Sequence, residues 1–95
     1  MIMELNKIEF YALVDHSVNE NCYEDTVDTF YYRTKEEGKK NFNSLIEHYE
    51  EAFFDNYELG KSDEVNKYEK DNAMYYELYL EGVCHIQLSL KKVVL

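Results

Sequence analysis

The chain reads as an α+β domain with element order ββαββ, a four-stranded antiparallel sheet carrying one amphipathic helix on one face. Three observations predict it. Stretches that alternate in polarity, or are dense in β-branched and aromatic residues, lie on both sides of the middle of the chain. Between them, apolar residues recur at spacings of three and four. Finally, Glu81-Gly82 separates the last two stretches by the two residues of a tight hairpin. With 95 residues there is chain enough for one core and no second, so residues 1–95 form a single domain.

The first strand is predicted over Ile8 to Val14. Ile8, Phe10, Ala12 and Val14 alternate with Glu9, Tyr11 and Leu13, which assigns the first set to the helix side and the second to the opposite side. Asp15 to Asp25, rich in Asn and acids, reads as a loop. Thr26 to Arg33 is dense in Thr, Val, Phe and Tyr and reads as the second strand.

The helix begins after Thr34. Thr34 and Glu37 stand at the spacing of a capping box, in which side chains satisfy backbone N–H groups that the first turn leaves without partners. Phe42, Leu45, Ile46, Tyr49 and Phe53 form one stripe, and the run from Lys35 to about Asp55 would be roughly 30 Å long at 1.5 Å per residue. Gly38 costs this helix about 1 kcal/mol relative to Ala, tolerable in its first turns. Asn56 to Asn72 reads as a mobile polar connection. The third and fourth strands follow at Ala73 to Leu80 and Val83 to Lys91. Met74, Tyr76, Leu78 and Leu80 face the helix with Cys84, Ile86, Leu88 and Leu90. Tyr75, Glu77, Tyr79, His85 and Gln87 face away.

Composition narrows the function. Twenty acidic against ten basic residues give a net charge of −10, a field that repels phosphate backbones and favours encounter with basic protein surfaces. No apolar run approaches the roughly 20 residues that span a bilayer. Residues 1–7 lack the basic start and long apolar centre of a signal peptide, so the expected location is the cytoplasm, away from membranes. Two cysteines, Cys22 and Cys84, make no disulfide framework.

Catalytic and metal constellations are not evident. His16, Cys22, His48, Cys84 and His85 stand at no zinc-like spacing, and adjacent Cys84 and His85 fall on opposite faces of their strand. A chain with three glycines has no phosphate-cradling loop, and no Gly-x-Ser-x-Gly elbow is present. Close carboxylate pairs are abundant, as twenty acids in 95 residues make them by chance. The expectation is a non-enzymatic protein with no cofactor and no metal.

Two surfaces are candidates for contact. A helix dipole favours acids at the N-terminus and bases at the C-terminus. Here Lys35, Lys39 and Lys40 crowd the beginning, while Glu47, Glu50, Glu51 and Asp55 crowd the end, and Glu47 and Glu51 repel one another at i, i+4. Phe54 lies beside them, off the apolar stripe. The plain alternative is a solvated acidic face with Phe54 covered by the following loop. The second surface is the sheet face opposite the helix, predicted to carry Tyr11, Leu13, Tyr75, Glu77 and Tyr79. Tyr buries much area at small entropic cost, which suits a docking face, and equally suits cross-strand ladders on an exposed sheet.

The succession of a strand at Val27–Tyr32, the Thr34–Glu37 cap, the amphipathic Phe42–Phe53 helix and a returning hairpin, with the acidic balance, resembles small phage and mobile-element inhibitors of bacterial defence, some anti-CRISPR proteins among them. The resemblance is of general style across most of the chain. It implies an inhibitor that occupies a basic nucleic-acid channel of its target, sometimes by imitating the charge of DNA.

These readings converge on a protein-binding module. Glu47, Glu51, Asp55 and Glu58 would meet a basic partner surface, with Phe54 and Tyr57 as apolar anchors. The alternative is a homo-oligomer, a homodimer in its simplest form, that encloses a small molecule with its Tyr-rich sheet face.

Overall fold

A computed structural model describes residues 8–20, 24–54 and 59–95. Its elements are β1 (Glu9–Asn19), β2 (Glu24–Tyr32), α1 (Lys35–Phe54), β3 (Glu64–Lys70), β4 (Ala73–Leu80) and β5 (Cys84–Val94). The fold is α+β, a single antiparallel sheet with one helix on one face. The sheet has five strands rather than the four expected, in the order β2-β1-β5-β4-β3. The chain leaves one edge at β2, crosses the sheet as α1, and returns from the other edge through β3, β4 and β5.

The extra strand lies within the stretch read as a mobile connection. β3 carries Glu64, Lys67, Glu69 and Lys70 among seven residues, all of them exposed, so no face of it shows apolar alternation. Backbone pairing with β4 makes it a strand, while its charge suits an edge that must not pair further. Asp71 and Asn72 join it to β4 with φ of 52° and 63°. Two successive positive-φ residues are the mark of a two-residue hairpin turn, and Asp and Asn tolerate that conformation better than most side chains. The β4–β5 turn takes three residues, with Gly82 at φ 71° and the Val83 N–H donating to the Leu80 carbonyl at 2.9 Å.

β1 continues to Asn19, five residues beyond its expected end, because it is hydrogen-bonded on both sides. In the middle of a sheet, Asp15, Ser17 and Asn19 need no apolar character to remain in a strand. The register also reverses the predicted facing of this strand. Leu13 stands opposite Leu90, whose side chain is buried under the helix, so Tyr11, Leu13 and Asp15 face α1. Phe10, Ala12 and Val14 face away.

The helix matches its expected span. The Glu37 N–H donates to the Thr34 hydroxyl at 3.2 Å, satisfying one first-turn donor. Phe42 and Ile46 are buried against Leu13, Met74, Tyr76, Leu78, Leu80, Cys84, Ile86, Leu88 and Leu90. Gly38 has a packing reason beyond tolerance: a Cβ there would lie 2.9 Å from Cδ1 of Leu90 and 3.5 Å from Cβ of Tyr11. It lets the first turns settle directly on β1 and β5. Among the described residues, no helix is long and apolar enough to cross a membrane.

Candidate functional site

Position along the strands determines where charge accumulates. The pairing of Asn19 with Glu24 and Cys84, and of Leu80 with Cys84, sets the β1–β2 and β4–β5 connections at one end of the sheet. β3 starts at the same end, since Glu64 pairs with Tyr79. The last turn of α1 arrives there too: Tyr49 and Phe53 line a cleft of about 160 Å³ with Ser17, Asn19, Cys84 and Ile86.

This end therefore gathers Glu20, Glu24 and Asp25 from the β1–β2 connection, Asp63, Glu64 and Glu81 from the other turns, and Glu47 and Glu51 from the helix. Two basic residues accompany them among the described residues: Lys61, and Lys67, whose ammonium donates to the Asn43 side chain at 3.1 Å, one turn from Glu47. Asp63 holds the turns together, accepting from the Gly60 N–H at 2.6 Å and the Glu81 N–H at 2.8 Å. Arg33, Lys35, Lys70, Lys91 and Lys92 lie towards the opposite end, where Lys92 meets Glu9 at 3.3 Å. The molecule is thus acidic at one end of its strands and mixed to basic at the other.

Glu47 and Glu51 are exposed, and neither meets a Lys or Arg among the described residues. The last turn of α1 contains no basic residue, so the partial negative charge of the helix C-terminus is unopposed within the helix. Glu50, between them, turns inward and accepts from the Tyr76 hydroxyl at 3.2 Å. Burial, reinforced by Glu50, raises the Tyr76 hydroxyl above the ordinary phenol range and keeps it a donor. Phe54 is half-buried and packs against the core, although it lies off the apolar stripe of the sequence. Asp55, Tyr57 and Glu58 lie outside the described residues.

On the second candidate surface, Tyr75, Glu77 and Tyr79 do face away from the helix. Tyr11 and Leu13 do not: Leu13 is fully buried under α1 and Tyr11 packs against the core. β1 is apolar on both faces, so alternation could not choose between them, and the large Leu13 fills the core where the smaller Ala12 and Val14 were expected. The tyrosines of the open face contact neighbours on adjacent strands. Tyr75 stacks on Tyr68 at 5.0 Å between ring centroids, with the Lys91 ammonium 5.5 Å from the Tyr75 ring centre. His85 sits edge-on to Tyr79 at 5.4 Å and hydrogen-bonds Glu77 through Nε2 at 2.8 Å. The His85 bond is the main reason that the Glu77 carboxyl lies below its ordinary range, with Gln87 donating at 3.2 Å in support.

The burial of Asp15 was not legible in the sequence, where it opened a supposed loop whose residues Asp15 to Asn19 lack the oxygen spacing of a calcium site. It is 6% exposed; its Oδ2 accepts from the Tyr49 hydroxyl at 2.6 Å, and its Oδ1 has no hydrogen-bond partner. Burial raises its carboxyl above the ordinary range. The Tyr49 bond opposes that rise, and Asp28, across the pair on β2, adds to it. Cys84 is buried as well, its thiol pushed up to about 11 by burial, so it is an unreactive core thiol. Among the described residues, no group of three or more His, Cys, Asp or Glu side chains is placed to hold a metal ion.

Glu47 and Glu51 can be offered to a basic surface without first breaking an ion pair with lysine or arginine among the described residues, whereas Asp25 is held by His16 at 2.7 Å. Compared with known proteins, the chain matches no family model, no curated protein and no solved structure.

Proposed function

We propose that the protein is a binding module that docks its acidic end on a basic surface of a partner protein. In the sharper form of this reading, that surface is one that binds nucleic acid, and the protein acts as an inhibitor in the manner of the phage proteins it resembles. The observation that carries the proposal is the exposed Glu47 and Glu51 pair, neither in an ion pair with lysine or arginine among the described residues, with Glu51 in the last turn of a helix whose dipole disfavours negative charge there. Such placement lowers the stability of the free protein, and a cationic partner relieves it. The acids at the neighbouring strand ends extend the same field, which raises encounter rates with a positive surface.

Capture from lysate of the encoding host tests it, using wild type and a Glu47→Lys, Glu51→Lys double variant with the fold checked by circular dichroism. The wild type should retain a partner at low salt, lose it as salt rises, and block that partner's nucleic-acid binding. The double variant should retain it at least tenfold less well. Equal capture by a folded double variant would remove the helix face from the reading.

A further inference from the structure

The two edges of the sheet are built differently. β3 protects its edge with four charged residues in seven. β2 runs nine residues with an unbroken register against β1, eight of the nine are exposed, and Thr29 to Tyr32 carry no charge. Val27 is 60% and Tyr31 66% exposed on the face away from the helix, and Phe30 is 43% exposed on the helix side. Neither proline nor a bulge interrupts this strand. Among the described residues no strand pairs with its outer side, and such an edge presents backbone groups ready to accept another strand.

We propose that β2 pairs antiparallel with β2 of a second copy, about a two-fold axis at Thr29, giving a continuous ten-stranded sheet. The occupant follows from charge at two scales. A two-fold perpendicular to the sheet keeps the faces matched, so residue numbers in opposed pairs sum to an even number. Centring on Asp28 would oppose two carboxylates. Centring on Thr29 opposes Val27 to Tyr31 and Asp25 to Arg33, each occurring twice. Asp25 has one carboxylate oxygen on His16 at 2.7 Å and its second oxygen remains for the guanidinium. Arg33 follows directly on the strand, and the alternation of β2 carries it to the same face as Asp25. At the scale of the molecule, antiparallel pairing lays the acidic end of each copy beside the basic end of the other, so two chains of charge −10 meet with opposite local fields. Lys67 and Glu69 on the other edge offer no comparable apolar strand. This pairing stands independently of the acidic helix face, which it leaves open.

The test is the solution mass of the full chain across micromolar to submillimolar concentrations by sedimentation. A concentration-dependent doubling is expected. Arg33→Asp, which opposes two carboxylates at each end of the pairing, should weaken association by about tenfold. The combined Asp25→Arg, Arg33→Asp variant should restore it, and Tyr68→Lys on β3 should leave it unchanged. In a Cys22→Ser background, Thr29→Cys should join two copies through a short thiol-to-thiol cross-linker. A chain that stays monomeric throughout overturns the proposal. So does a dimer that ignores Arg33→Asp, or one lost on Tyr75→Lys instead, which would move the interface to the open face.

Discussion

Asp15 shows how one side chain can shape the response of the whole fold to pH. Its carboxyl is raised in the folded protein by burial, so the native state prefers the protonated acid more than the unfolded chain does. A raised folded-state value means that this group's contribution is fully present below the unfolded value, about 3.9, and is lost as pH rises through the folded value. Asp15→Asn keeps an acceptor for Tyr49 and removes the buried charge. The stability of Asp15→Asn relative to wild type should therefore increase from mildly acidic to neutral pH, measured by urea unfolding at several pH values. A constant difference across that range would show that the Asp15 carboxyl ionises alike in the folded and unfolded chains, against the raised value. Glu77 acts in the opposite sense. Its lowered carboxyl contributes stability above the ordinary Glu value, lost as pH falls through the folded one, because acid protonates the acceptor of His85 and Gln87.

At the level of elements, turn chemistry and backbone pairing decide what side-chain patterns could not. Asn72 holds a φ of 63° in the β3–β4 turn, a conformation that glycine reaches without a Cβ penalty. Asn72→Gly should stabilise the protein by about 0.5–1 kcal/mol, seen as a higher melting temperature. A lower one would mean that β3 and β4 are not joined by this hairpin. Asp71 and Asn72 closed what the sequence read as a polar connection, because the charged sequence of β3 hid the strand leading into the turn. The helix was readable nearly to the residue, because the Thr34 cap and the Phe42–Phe53 stripe are both local signals. β4 and the helix-facing side of β5 were readable because one face of each is strictly apolar. The facing of β1 was not, since Tyr11 and Leu13 compete with Phe10, Ala12 and Val14. Only the long-range pairing of Leu13 with Leu90 resolves that competition.

For the molecule as a whole, the informative property is the segregation of charge along the strand axis. The excess of acid is evident from composition, and the misplaced acids of the helix from its sequence. Their company at one end depends on strand order: β1, β2, β3 and the β4–β5 turn each bring acids there from distant parts of the chain. Glu47 and Glu51 remain exposed carboxylates on the C-terminal half of the helix, while Phe54 is half-buried and packs against the core.

Under the proposed function, binding and stability place opposite demands on Glu51, and a single substitution separates them. Glu51→Lys turns an i, i+4 repulsion with Glu47 into an attraction and sets a cation in the last turn of the helix. It should raise stability by roughly 0.5–1 kcal/mol. Thermal unfolding and partner capture measured side by side on this variant test the central claim most directly. A higher melting temperature together with at least severalfold weaker, salt-sensitive capture is the predicted result. Capture as strong as that of wild type, by a variant that is folded and more stable, would contradict it.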